Sequence, residues 1–154
     1  MISDNFEKAK AFFENGLKCF EEEKFYQAEI NFLKSLDLVP QRLSTIRNLI
    51  SIYIKTNEVK KLDNLLENHS TLHNQIELKY GLAFNHFFKK NYSKSINICQ
   101  ELLNHKDFKD TIEDLLASNL KKKKLFFDAL IIYKKKLKIK KDYLIFYNIG
   151  NLFS

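Results

Sequence analysis

The chain has 154 residues, a formal net charge of +7 and a hydrophobic fraction of 45%, which is enough apolar content for a continuous core in one domain. Three glycines and one proline supply little of the turn chemistry a sheet protein needs, and no apolar run approaches the roughly 18 residues of a membrane span. The N-terminus, MISDNFEKAK, has no signal-peptide pattern, so a soluble, cytoplasmic protein without membrane contact is expected.

The stretch FFENGLKCFEEEKFYQAEINFLKSLDLVP, Phe12 to Pro40, predicts two amphipathic helices, near Ala9–Glu22 and Phe25–Leu38. Phe12, Gly16, Cys19 and Phe20 recur at three- and four-residue intervals, as do Phe25, Ala28, Phe32, Ser35 and Leu36, so each set lines one helical stripe. Glu23-Lys24 is a polar hinge between them, and the helices are expected to fold back antiparallel. Pro40 stops the second helix, because proline lacks an amide hydrogen and clashes with the preceding turn.

This stretch resembles the tetratricopeptide repeat, a helix–turn–helix unit of about 34 residues. Phe12 and Gly16 match the family's bulky and small residues on the first helix. Phe25, Ala28, Phe32, Ser35 and Pro40 match the aromatic, small, large, small and proline positions that follow. Asn15 departs from the aliphatic residue usual before the glycine. The resemblance is to a bacterial-type member, and it implies an all-α, right-handed α-solenoid over residues 1–154. The repeats would cover approximately 9–42, 43–75, 76–109 and 110–142, with a partial fifth at 143–154 that is either a capping helix or a truncated repeat.

The second copy is LSTIRNLISIYIKTNEVKKLDNLLENH. Ile46, Leu49, Ile50 and Tyr53 form its first stripe, and Val59, Leu62 and Leu66 its second. Leu62 replaces the alanine of the close-packing position, so this pair is expected to be slightly splayed. Asn68-His69-Ser70-Thr71 ends the second helix early and makes 68–75 the mobile connection. In the third copy, Tyr92, Ser95 and Cys99 follow Val59, Leu62 and Leu66 by 33 residues (92 − 59, 95 − 62, 99 − 66), so one residue is missing. The Lys89-Lys90-Asn91 turn is the expected place. The first helix of this copy is apolar nearly all round, which implies burial on more than one side, and two registers fit it.

In the fourth copy, Ile112, Leu115, Leu116 and Leu120 supply the first helix, with Phe126, Ala129 and Tyr133 on the second. Phe146, Ile149, Gly150 and Phe153 open a fifth. An array of this kind needs its terminal apolar face covered, so the chain is expected to be the N-terminal piece of a longer protein, or to self-associate through its C-terminal helix by Leu152 and Phe153.

No catalytic constellation is present, and no cofactor, metal site or enzymatic activity is expected. Cys19 and Cys99 lie on apolar stripes and read as buried thiols, which behave as small hydrophobes. His69 and His73 are four apart but lack a third ligand and read as surface polar residues. His86 reads as a hydrogen-bonded or half-exposed histidine, and His105 as a helix-end residue favoured by the dipole. Glu21-Glu22-Glu23 reads as a solvated helix end. Residues 109–154 hold 11 basic and 5 acidic side chains against 15 and 14 in residues 1–108, so the positive excess is C-terminal. Lys121–Lys124 and the run Lys134-Lys135-Lys136, Lys138, Lys140, Lys141 close helices, where cations are favoured. Nucleic acid is not the expected partner, since the repeat pattern assigns Phe126 and Tyr133 to the core and leaves few stacking aromatics.

The family resemblance implies a concave groove lined by first helices. Its positions here are Phe13 and Leu17, then Arg47, Asn48, Ser51 and Lys55, then Tyr80, Phe84 and Phe88, then Ser118 and Lys122, with Tyr147 and Asn151 from the last helix. Asn48 stands where many members hold an asparagine that hydrogen-bonds a peptide backbone. Chaperone-binding members clamp a C-terminal carboxylate with lysine and asparagine where this chain has Phe13 and Leu17, so no carboxylate clamp is expected. The function implied is a non-catalytic scaffold binding an extended peptide or a partner's helix. The alternative is a substrate-recruiting arm of a larger transferase-type enzyme.

Overall fold

Apolar side chains at three- and four-residue spacing, with few glycines or prolines to interrupt them, give helix after helix. The computed structural model describes the backbone of residues 2–139 and 143–152, and the side chains of 4–138 and 144–152. Lys140, Lys141 and Phe153, assigned above to the lysine run and the fifth copy, lie outside the described residues. Among those described, the protein is all α, with no strand. Its helices are α1 (Ile2–Glu21), α2 (Phe25–Leu38), α3 (Leu43–Lys55), α4 (Val59–Asn68), α5 (Ile76–Phe88), α6 (Tyr92–Leu102), α7 (Lys109–Lys122), α8 (Phe126–Ile139) and α9 (Tyr143–Gly150), with a 3-10 turn at Ser70–Leu72. None of the described helices is long and apolar enough to cross a membrane. The chain forms two compact units, Met1–Gly81 and Leu82–Ser154.

α1 begins at Ile2, earlier than the Ala9 expected from the stripe. Nothing in the first nine residues breaks a helix, and Asp4 in the first turn faces the positive end of the dipole while pairing with Lys8 at 2.8 Å.

The helices are joined two by two through one recurring turn. Three residues separate α1 from α2, α3 from α4, α5 from α6 and α7 from α8. The middle residue of each is left-handed, with φ of 58° at Glu23, 57° at Asn57, 62° at Lys90 and 61° at Lys124. The next amide reaches back five residues, from Lys24 to the Cys19 carbonyl (2.8 Å), Glu58 to Tyr53 (2.9 Å), Asn91 to His86 (2.8 Å) and Leu125 to Leu120 (2.9 Å). These bonds satisfy carbonyls that a helix C-terminus leaves open. The left-handed residues are 34, 33 and 34 apart (57 − 23, 90 − 57, 124 − 90), the same spacing the side-chain pattern shows. The missing residue is therefore not in the Lys89-Lys90-Asn91 turn, which has the same length as the others. It falls in the preceding stretch, where α4 has ten residues against fourteen in α2.

In the first unit, α1 packs closely on α2 because Gly16 has no side chain. A Cβ there would stand 2.7 and 2.8 Å from ring carbons of Phe32, which is fully buried. The Ser35 hydroxyl crosses the same seam and donates to the Ala9 carbonyl at 2.8 Å. Ile46, Leu49, Ile50, Tyr53, Leu62, Leu66 and Leu78 are also buried in this unit. α3 and α4 share a shorter seam than α1 and α2, in keeping with their 13 and 10 residues against 20 and 14. Tyr53 donates its hydroxyl to Glu29 Oε1 at 3.0 Å, and Lys61 Nζ reaches both oxygens of that carboxylate at 3.0 Å, tying α2 to α3 and α4.

His69 and His73 differ from the surface residues expected. Both are half-buried, with His69 Nδ1 2.8 Å from the Leu65 carbonyl and His73 Nε2 2.8 Å from that of Leu66. They cap the carbonyls at the end of α4, which is the reason that helix can stop early.

In the second unit, Ser95 donates to the Ala83 carbonyl at 2.8 Å and receives Asn119 Nδ2 at 2.8 Å, a buried polar link from α5 through α6 to α7. Ala117, Ala129, Tyr133, Ile145 and Leu152 form the core beneath α8 and α9, with Phe126, Leu130 and Ile149 packed against it. Two expectations about α9 are corrected. Phe146 and Gly150, which the repeat pattern places among the positions that open the fifth copy, are exposed, and Leu152, read as an exposed contact for self-association, is buried. Lys136 is also not a solvated lysine. Its ammonium is buried between α7 and α8, 2.9 Å from Asp110 and bonded to Asp114. Of the two cysteines, Cys99 is buried and Cys19 only half-buried.

Candidate functional site

On α1, Phe13 and Leu17 are one turn apart and both half-buried. The Phe13 ring lies 5.6 Å from that of Phe32, and the Arg42 guanidinium stands 4.7 Å over Phe13 and 5.8 Å over Phe6. A guanidinium in that position is attracted by the electron-rich ring face, so Phe13 is held between the core and a cation. Arg42 is further fixed by a 3.2 Å bond from its Nε to the Ser44 hydroxyl.

α3 presents Arg47, Asn48, Ser51 and Lys55, which share one side of the helix by their spacing. The first three are half-buried and Lys55 is exposed. The Asn48 amide donates to the Ser44 carbonyl one turn back, at 2.9 Å. That bond uses one of the two amide hydrogens and leaves the other, with the side-chain oxygen, outside it. Tyr80, on α5, is only 8% exposed, so little of its ring reaches the surface. Burial raises the Tyr80 phenol above its usual range, and the positive charge of Arg47 acts in the opposite direction. The first unit therefore brings Arg47 and Tyr80 into electrostatic reach of each other.

In the second unit the aromatic residues of α5 form a chain. Phe84 lies 6.2 Å from Phe88, Phe87 lies 6.1 Å from Phe88, and Phe87 lies 5.8 Å from Tyr92 at the start of α6. These spacings are typical of tilted and edge-to-face pairs. Phe84, Phe87 and Phe88 are each half-buried, so the uncertainty of register on α5 resolves with Leu78, Tyr80 and Ala83 inside and these three rings at the boundary. On α7, Ser118 donates to the Asp114 carbonyl at 2.9 Å and Lys122 is exposed. On α9, Tyr147 is exposed, and Asn151 just beyond the helix accepts from Lys121 Nζ through its carbonyl at 3.1 Å.

The titratable groups with displaced pKa values are held in structural contacts. Burial pushes the Cys99 thiol up to about 11, which makes it a poor nucleophile. Burial and the adjacent Glu29 carboxylate raise the Tyr53 phenol. Lys136 is raised as well, because its bonds to Asp114 and Asp110 outweigh the burial that opposes them. Among the described residues, no three His, Cys, Asp or Glu side chains are grouped so as to hold a metal ion. The exposed faces carry hydrogen-bonding groups, cationic charge and aromatic surface.

No family model matches the chain, and no curated protein matches it significantly.

Proposed function

We propose that the chain is a repeat protein of the tetratricopeptide type, its helix pairs stacking as a right-handed solenoid, and that it binds an extended peptide or a partner's helix in the concave groove lined by its first helices. The observation that carries this reading is the recurrence of one turn, with a left-handed middle residue and a five-residue backbone return, at the period of the side-chain pattern. Each helix pair buries the same positions. Ala28, Leu62, Ser95 and Ala129 are all fully enclosed, and Phe32, Leu66, Cys99 and Tyr133 sit one turn further on. A repeat that spends one helix face on its neighbours leaves the other for a ligand. On α3 the half-exposed Arg47, Asn48 and Ser51 share one side of the helix.

The test is a peptide-display selection against the native chain, with the enriched peptides measured by fluorescence anisotropy. Arg47→Ala with Asn48→Ala is the variant of choice, since both side chains are half-exposed and their loss leaves the core intact. Affinity should fall at least tenfold, the loss expected when two orienting polar anchors are removed. Equal affinity for native and variant chains would show that α3 is not the binding face. Tyr80→Ala is unsuitable, because its ring is buried and its removal would disturb packing.

A second reading concerns assembly. α9 exposes Leu144, Phe146 and Tyr147, and α8 exposes Phe127 and Ile131, which supports self-association through the C-terminal helices.

A further inference from the structure

The second unit has a surface cavity of about 350 Å³ where the α5–α6 turn meets the end of α7, lined by Lys90, Asn91, Tyr92, Ser93, Lys94 and Lys123. Half of the lining residues are lysines and none is acidic. Lys123 donates from Nζ to the Ser93 hydroxyl at 2.7 Å, so one ammonium is anchored on the cavity wall. Among the described residues, Lys90, Lys94 and Lys123 make no ion pair. Other lysines of the same unit behave differently, with Lys136 held between Asp110 and Asp114 and Lys135 3.7 Å from Glu113. The cavity therefore gathers three cations that no carboxylate compensates.

We infer that this cavity is a binding site for a phosphate monoester. Three like charges around one concavity repel each other, and an anion entering between them removes that repulsion while gaining attraction to each. Lysine suits the phosphoryl group here, since a compact ammonium with three donors can follow any of the three terminal oxygens. The Ser93 hydroxyl and the Asn91 amide add neutral polar groups to the wall. The volume exceeds what one phosphate fills, which leaves room for the group that carries it. The half-buried Tyr92 ring, set 5.8 Å from Phe87, forms an apolar side to that space. The site is separate from the peptide-binding face proposed on α3, and either assignment can fail without the other.

The probes are inorganic phosphate and O-phosphoserine, titrated into the full chain and followed by amide chemical shifts at Ser93 and Lys94. Saturable shifts are expected for both, with phosphoserine the tighter ligand if the carrier contacts the Tyr92 side. If free phosphate is instead the natural ligand, inorganic phosphate binds at least as tightly. Affinity should fall as pH drops below about 6, where the dianionic monoester takes up a proton and loses one of its two negative charges. Lys94→Gln with Lys123→Gln should weaken binding at least tenfold. Lys134→Gln with Lys138→Gln, which removes the same charge from exposed positions on α8, should change it less than twofold. Shifts that never saturate, or equal losses in the two double variants, would reduce the effect to general attraction by net charge and overturn the assignment.

Discussion

At Gly16 the absence of one carbon sets how closely two helices approach. Alanine is preferred to glycine within a helix by about 1 kcal/mol, so on propensity alone Gly16→Ala would stabilise α1. The added carbon would meet Phe32 ring atoms at 2.7 and 2.8 Å, and Phe32 is enclosed with nowhere to move. Overpacking of this kind costs about 1–3 kcal/mol and outweighs the propensity gain. Gly16→Ala should lower stability by about 1 kcal/mol or more, read as a lower urea midpoint. Gly150→Ala is the matched control, since an added carbon there meets nothing within 4 Å, and its midpoint should stay within about 1 kcal/mol of the native value. A raised midpoint for Gly16→Ala would mean that α1 and α2 are not packed as described. Gly16 was legible in sequence because a small residue stood between large ones at helical spacing. His69 and His73 were not, because their role depends on where the chain turns after α4, and no local pattern encodes that.

Whole helices were read well where one face is apolar and the other polar, as in α2, whose limits at Phe25 and Leu38 agree with the stripe and with Pro40. The turns between paired helices were harder to place. Left-handed positions usually carry glycine or asparagine, and here three of the four turns carry Glu23, Lys90 and Lys124. With the usual marker absent, only the period of the flanking residues located them. The same feature gives a prediction. A non-glycine residue in the left-handed region costs about 1 kcal/mol, so Glu23→Gly and Lys124→Gly should each stabilise the protein by about 0.5–1 kcal/mol. Some of the gain is offset by the greater freedom of glycine in the unfolded chain. Both sites are exposed, so no packing change obscures the measurement. Thermal midpoints that fall in both variants would contradict the turn geometry. Lys136 shows a different limit of sequence reading. Its place in a run of lysines suggested a solvated end, and only the packing of α8 on α7 reveals the aspartates that enclose it.

At the scale of the molecule, the repeat spacing and the all-α character followed from side-chain periodicity, whereas the facing of the last helix did not. α9 reads YLIFYNIG, apolar on nearly every side, so a period of 3.6 cannot choose which side turns inward. Packing puts Ile145 in the core and leaves Phe146 57% and Tyr147 58% exposed. On α8, Phe127 at 77% and Ile131 at 65% are one turn apart and equally uncovered. Isolated apolar residues on a surface are ordinary, but several large ones on consecutive helices favour association. The native chain should therefore show a weight-average mass that rises with concentration in sedimentation equilibrium. Phe146→Ser with Tyr147→Ser removes apolar surface without opening a cavity, because neither side chain is buried. That variant should keep the native unfolding midpoint to within about 1 kcal/mol and sediment as a monomer over the same range. The C-terminal helix would be excluded as a self-contact if the native chain is monomeric throughout, or if the variant associates as strongly as the native chain.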